Sequence, residues 1–292
     1  MLGQLSMLHD GGLMDKVEIA VKRLQSFEPP EGYFVAFSGG KDSQCVYHLC
    51  KRAGVKFDAH YNVTSVDPPE LMRFIRKHYP DVIWDYPVDK DGNRITMWNL
   101  IPKKKMPPTR FMRYCCEKLK ETNGEGRLTV TGVRWAESAN RKNNHRLVDI
   151  QGRKWQAEEG AQFETNKFGG AVLNDDNDAS RRMVEHCYRT NRTLLNPIVD
   201  WEDEDVWEFL RNIEKVAYCS LYDEGYKRLG CIGCPMNTRT AEIEFKRWPR
   251  YKELYLKAFG KMLEERKKAG KETSWNTPED VMEWWLRKNE GE

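Results

Sequence analysis

No apolar run in this chain approaches the roughly 20 residues that a helix needs to cross a bilayer, and residues 1–15 lack the basic-then-apolar order of a secretory signal. A cytoplasmic location without a membrane partner is therefore expected. Net charge is scarce too. A formal charge of +3 over 292 residues is too small to mark a nucleic-acid partner, although ten tryptophans leave room for stacking surfaces. Internal repeats and low-complexity segments are absent, which excludes a solenoid and long disordered tracts. Also missing is the spacing of a Walker A loop, with four residues between a first glycine and a Gly-Lys-Ser/Thr ending. What remains, at 39% hydrophobic and 32% charged residues, is a globular chain long enough for one large α/β domain with additions or two small domains.

Within that frame, Tyr33 to Phe37 reads as a buried strand that empties into Ser38-Gly39-Gly40-Lys41-Asp42-Ser43. Val46, Leu49 and Cys50 then follow at helical spacing. A glycine turn between strand and helix can turn its N–H groups toward an anion at the positive end of the helix dipole. Ser38 to Ser43 are therefore candidate phosphate-binding residues, with Lys41 and Asp42 as the charged members. If the ligand is ATP, Asp42 is the candidate to position Mg2+, because polyphosphate draws a hard cation with oxygen ligands.

Further strands are expected over 57–66, 82–86, 128–133 and 194–199, separated by helical stretches, with Asp200 capping the helix after the last. Asp67-Pro68-Pro69-Glu70 opens a helix through Tyr79. Strands alternating with helices of this length point to a doubly wound parallel sheet, ligands lying at the strand C-termini. A lead-in helix is expected from Met14 to Phe27 within residues 1–30, and a nucleotide-binding domain over 31–236 with an irregular polar insertion near 151–193. A charged helical extension covers 237–292, where Phe245, Trp248, Tyr251, Leu254, Tyr255 and Phe259 form a stripe that reads as packed core. The acidic run Glu202 to Asp205 reads as a favourable first helical turn, with metal binding as its alternative.

At the end of the strand near 130 stands Thr131-Gly132-Val133-Arg134, followed by Glu137, Ser138 and Arg141. Gly132 permits close backbone approach, while Arg134 and Arg141 can fork onto phosphate or sulfate oxygens or pair with Glu137. Eight cysteines without a secretory signal argue against a disulfide framework. Cys45, Cys50, Cys187 and Cys219 sit among apolar neighbours and read as packing residues. Cys115-Cys116 and the C-x-x-C of Cys231 and Cys234 are candidate ligands for metal. Two adjacent thiolates fit a [4Fe–4S] cluster, which spreads its binding points over several irons, better than a zinc ion. Zinc and unligated core thiols remain the alternatives. Arg110 and Arg113 flank the first pair and could balance its charge, and Lys103 to Lys105 could do so or form a solvated face.

The segment Ser38 to Ser43 resembles the PP-loop of ATP pyrophosphatases and of the phosphoadenylyl-sulfate (PAPS) reductase family. The resemblance extends through the Thr-Gly-x-Arg segment with its nearby second arginine. The Cys-Cys plus C-x-x-C arrangement is similar to that of the iron–sulfur branch of the family, the adenylyl-sulfate reductases. It covers about Tyr33 to Met236. It implies a [4Fe–4S] cluster on Cys115, Cys116, Cys231 and Cys234 beside a pocket for ATP or a related adenine nucleotide. It also implies catalytic roles for Lys41, Asp42, Arg134 and Arg141. Two departures stand out. Ser65-Val66-Asp67-Pro68-Pro69-Glu70 differs from the adenosine-binding segment of several relatives, and no cysteine follows Cys234 where sulfonucleotide reductases carry a nucleophile in a C-terminal tail. The leading expectation is accordingly ATP pyrophosphatase or adenylating sulfur-transfer chemistry, with a sulfur donor or reductant protein as partner and room for a nucleic-acid acceptor and a homodimer. The alternatives are a sulfonucleotide reductase drawing its thiol from Cys187, Cys219 or a partner, and a nucleotide-sensing or nucleic-acid-binding module without turnover.

Overall fold

The computed structural model describes residues 6–9, 12–237 and 240–287. The residues 288–292 that close the cysteine-free tail, part of the stretch read for a secretory signal (1–5, 10 and 11), and residues 238 and 239 at the head of the expected extension lie outside the described residues. The chain gathers into two compact units. One comprises the chain up to residue 61 together with 73–83 and 124–227, and the other 62–72, 84–123 and the chain from 228 onward.

A hairpin of β1 (Ser6–His9) and β2 (Gly12–Asp15) precedes α1 (Lys16–Ser26). The helix begins after the expected Met14 because that residue is paired with Met7 in the hairpin ladder. Then come β3 (Tyr33–Ala36), α2 (Lys41–Ala53), β4 (Phe57–Asn62), α3 (Pro69–His78), β5 (Ile83–Asp85), α4 (Met97–Lys104) and α5 (Tyr114–Leu119). After them follow β6 (Thr129–Val130), α6 (Ala139–Asn144), β7 (Val148–Ile150), β8 (Phe163–Thr165), β9 (Ala171–Leu173), α7 (Asp178–Cys187), β10 (Thr193–Leu195) and α8 (Asp203–Glu208). The C-terminal helices are α9 (Ala241–Arg247), α10 (Pro249–Lys268) and α11 (Pro278–Arg287).

The sheet has the order β5-β4-β3-β6-β10-β7-β9-β8. The half of the sheet around β3 is parallel, as expected: β3 pairs in parallel with β4 and β6, and β6 with β10. Beyond β10 the sheet turns antiparallel through β7, β9 and β8. The stretch 151–193 therefore contributes two strands and α7 in addition to loops. Tyr33, Phe34 and Val35 of β3 are buried, as a central parallel strand with both faces covered requires. The Tyr33 hydroxyl donates to the Leu24 carbonyl at 2.6 Å and ties α1 to the sheet. α2 ends on Gly54, whose φ of 68° suits a left-handed cap and whose N–H reaches the Lys51 carbonyl.

The helix after β10 starts later than expected. Asp200 is held by the Arg23 guanidinium through two bonds of 2.8 Å, so the cap falls to Glu202, whose N–H donates to Asp205 at 2.8 Å. In the second unit the aromatic stripe of α9 and α10 is core: Phe245, Trp248, Tyr255 and Phe259 are buried. The rings of Tyr255 and Phe259 stand 4.9 Å and 5.5 Å from Trp285.

Candidate functional site

The first unit places a glycine turn where β3 meets α2. Gly39 takes φ 73°, a region closed to most side chains, and Gly40 is the extended N-cap of α2 without a side-chain partner for its helix. The turn is fastened by its own hydroxyls. The Ser38 N–H donates to Ser43 Oγ at 3.2 Å, and Ser43 Oγ donates to the Gly40 carbonyl at 2.9 Å. From the far end of the unit, the Tyr222 hydroxyl accepts the Lys41 N–H at 2.8 Å.

Above this turn lies a network of four charges. Lys41 Nζ stands 3.0 Å from Asp42 Oδ1 and 2.9 Å from Asp203 Oδ1. Arg134 donates from Nε to Asp42 Oδ1 at 2.8 Å, from Nη1 to the Trp201 carbonyl at 3.0 Å and from Nη2 to Asp203 Oδ1 at 2.5 Å. Burial raises the cost of charging Asp203, but the bonds from Lys41 and Arg134 outweigh it and hold the carboxyl below its ordinary range. Burial likewise disfavours the Arg134 cation, and the two aspartates more than restore it. Two buried cations thus lie at a helix N-terminus, each paired in this structure with Asp42 and Asp203.

Each sequence candidate has a definite place. Ser38, Gly39, Gly40, Lys41, Asp42, Ser43, Gly132 and Arg134 come together. Gly132 is close not to open space but to the loop itself, since a Cβ there would stand 2.8 Å and 2.9 Å from the Asp42 backbone carbon and oxygen. Gly132→Ala is therefore expected to push the loop off its position, lowering stability by about 1–3 kcal/mol as overpacked sites do. Phosphate-ligand affinity should fall in parallel, and chemical denaturation together with ligand titration checks both. Arg141 pairs with Glu137, whose carboxylate also accepts the Arg134 backbone N–H at 3.2 Å, so Glu137 links the segments of both arginines.

Asp203 and Tyr222 were not among the sequence candidates. Asp203 was visible only as one member of an acidic helix start, and Tyr222 carries no local signal because its role arises from a contact with Lys41 far away in sequence.

In the second unit, the two cysteine pairs share one electrostatic neighbourhood. Cys115 is buried and feels Cys116, Cys231 and Cys234, which, with burial, push its thiol up. Cys116 is pulled down to about 5 by the hydrogen bond from Cys115 and by Arg113, against the effect of burial. Burial raises Cys231 to about 11, opposed by Lys120, and its thiol lies 3.6 Å from Thr64 Oγ1. Lys120, an exposed residue, is held protonated chiefly by Cys231, with Asp67 and Cys234 adding to it against the effect of burial of its ammonium. The C-x-x-C turn is anchored by its backbone. Ile232 donates to the Val66 carbonyl at 2.8 Å, Gly233 donates to the buried Glu244 at 2.7 Å, and Gly233 adopts φ 67°. A cavity of about 450 Å³ opens beside Cys116, lined in part by Arg113, Phe111, Met112 and Tyr114. Lys103, Lys104 and Arg110 are exposed, whereas the Lys105 carbonyl accepts from Arg266 at 2.8 Å. Among the described residues no three His, Cys, Asp or Glu side chains meet at the spacing of a single metal ion. Cys45, Cys50, Cys187 and Cys219 are buried, as expected of packing residues. No helix among the described residues is long and apolar enough to cross a membrane.

Comparison with known proteins places these residues in a family context. A model of the phosphoadenosine phosphosulfate reductase domain matches residues 32–237. An uncharacterised protein of Methanocaldococcus jannaschii is 26% identical over 242 residues, 80% of this chain and 47% of the relative. The adenosine 5'-phosphosulfate reductase of Allochromatium vinosum is 24% identical over 195 residues, 61% of this chain and 57% of that enzyme. The chain thus spans about half the length of these relatives. Among solved structures, the phosphoadenylyl-sulfate reductase of Candida auris in its phosphate complex aligns at a TM-score of 0.41 and 13% identity, covering 78% of this chain and 98% of that one.

Proposed function

We propose, for a chain that belongs to the phosphoadenosine phosphosulfate reductase domain family, that residues 38–43 seat the phosphates of ATP or a related adenine nucleotide. The reaction proposed is pyrophosphate-releasing adenylation followed by sulfur transfer. The observation that carries this reading is the convergence of buried Lys41 and Arg134 beside the N-terminus of α2, where they share the carboxylate oxygens Asp42 Oδ1 and Asp203 Oδ1. Two fixed cations beside a glycine turn suit the dense charge of a polyphosphate and the charge that grows on it as pyrophosphate departs.

In the proposed step, an acceptor oxygen attacks the α-phosphorus, the bond from that phosphorus to the bridging oxygen of the β-phosphate breaks, and pyrophosphate leaves with the electron pair. A sulfide-level sulfur nucleophile from a donor then attacks the activated carbon of the acceptor, the bond from that carbon to the adenylate oxygen breaks, and AMP leaves with the oxygen and the electron pair. Lys41 and Arg134 hold the phosphates in line, and the Ser38 to Ser43 turn fixes their distance from β3. Arg141, one helix turn past Glu137 and paired with it, is the further guanidinium proposed for the same ligand. Mg2+ would add charge neutralisation on a polyphosphate, and Asp42, whose Oδ1 holds Lys41 and Arg134, is the loop carboxylate that would face it with its other oxygen.

Cys115, Cys116, Cys231 and Cys234 would hold a [4Fe–4S] cluster, one thiolate to each iron, and such a cluster supplies electron transfer or sulfur binding when present. The chemistry of the donor set supports this: the Cys115 thiol is influenced by Cys116, Cys231 and Cys234, and Lys120 and Arg113 offer the positive charge that a thiolate-ligated cluster calls for.

A second reading, sulfonucleotide reduction, is favoured by the named activity of the Allochromatium relative. Its attacking thiol would come from a partner, since Cys187 and Cys219 are buried and burial raises the Cys187 thiol. Anaerobically purified, cluster-loaded protein given ATP and acceptors separates the two: pyrophosphate release supports adenylation, and sulfite release from either sulfonucleotide supports reduction. Tight, salt-sensitive nucleic-acid binding with neither product would instead indicate a binding module.

A further inference from the structure

We propose that Asp203 is a built-in stand-in for a ligand phosphate, and that it sets how much negative charge a ligand must bring to enter the loop. The proposal rests on the reading of Lys41 and Arg134 as phosphate-binding cations. Asp203 Oδ1 receives Lys41 Nζ at 2.9 Å and Arg134 Nη2 at 2.5 Å, as Asp42 Oδ1 receives Lys41 Nζ at 3.0 Å and Arg134 Nε at 2.8 Å, and exposure tells the two carboxylates apart. One oxygen shared by an ammonium and a guanidinium has the surroundings of a bound phosphoryl oxygen.

Burial within the network is lopsided. The side chains of Lys41 and Arg134 are 6% and 1% exposed, whereas that of Asp203 is 60% exposed. The cations are fixed, and the carboxylate is the member that can turn out to solvent. Its departure strands neither cation, because Asp42 still holds both and the Trp201 carbonyl still holds Arg134.

Charge balance completes the argument. Two cations and two carboxylates cancel, so an incoming anion gains little until Asp203 withdraws. A diphosphate or triphosphate group, with several oxygens to offer the two cations, displaces Asp203 more readily than a single phosphate does. Asp203 is thereby a specificity-determining residue that favours polyphosphate ligands over monophosphates.

The test titrates inorganic pyrophosphate and inorganic phosphate, without divalent cation, into the full chain and its variants. Asp203→Asn keeps the side chain's shape and its acceptor oxygen but removes the charge. It should bind both anions about tenfold more tightly, the order expected of one partly solvated charge, and prefer pyrophosphate over phosphate less strongly. Asp203→Ala offers the same comparison through a different side chain, and Asp203→Glu, which restores the charge, should move affinity back toward the wild type. Unchanged or weaker binding in Asp203→Asn and Asp203→Ala, while Lys41→Ala still loses pyrophosphate in every background, overturns the role of Asp203 and leaves the loop reading standing. If Lys41→Ala has no effect in any background, the loop reading fails and the proposal fails with it.

Discussion

Arg134→Met is expected to destabilise the protein by about 3 kcal/mol, the lower end of the cost of removing one member of a buried ion pair, and to abolish measurable nucleotide binding. Arg134 is 1% exposed and is the only residue described here that bonds to Asp42, Asp203 and the Trp201 carbonyl together. Its loss leaves that carbonyl without its guanidinium donor and two carboxylates sharing Lys41 alone. The cost stays at the lower end because Asp203 is 60% exposed and water can solvate it once released. Arg134→Lys should recover part of the stability and little of the binding, since a point charge cannot fork onto three acceptors. Urea denaturation and calorimetric titration with ATP measure the two effects separately. Normal binding in a folded Arg134→Met variant would show that Arg134 is a structural clamp alone.

The second large effect is expected at the cysteines. Replacing Cys116 or Cys234 with serine should reduce iron and sulfide in anaerobically purified protein from about four of each per chain to a small fraction, with loss of the charge-transfer absorption of a cluster. Each thiolate would hold its own iron, so removing one leaves an iron open to loss. Cys50→Ser and Cys219→Ser, at buried packing positions, should leave the iron content as it is. Stoichiometric zinc in place of iron would redirect the reading to a structural ion, and metal-free protein of unchanged stability would return these cysteines to ordinary core thiols.

What the sequence disclosed and what it hid follow a physical pattern. The run from β3 through Ser43 was legible because a buried strand, a glycine pair and a helical repeat are local signals, each readable over a few residues. The cysteine pairs were legible for the same reason. Asp203 was hidden by a sufficient local explanation: an acidic first turn stabilises α8 whether or not one of its members reaches Lys41 and Arg134. Tyr222 and the Trp201 carbonyl became visible only once the chain was folded. Gly132 was recognised as a position of close approach, but its neighbour proved to be the Asp42 backbone, so it shapes the loop from beneath. The antiparallel edge went unread because Phe163 to Thr165 is exposed throughout and shows no inward-outward alternation. Helix α4 was missed for another reason, the Pro102 inside it, which reads as a breaker.

The central claim is that the buried cations above the glycine turn receive the phosphates of an adenine nucleotide. Calorimetric titration of ATP into the wild type and Lys41→Ala, both cluster-loaded and at fixed salt, tests it most directly. The account predicts saturable one-site binding in the wild type and at least a hundredfold weakening in Lys41→Ala, roughly 2.7 kcal/mol. Equal affinity in the two proteins would contradict it.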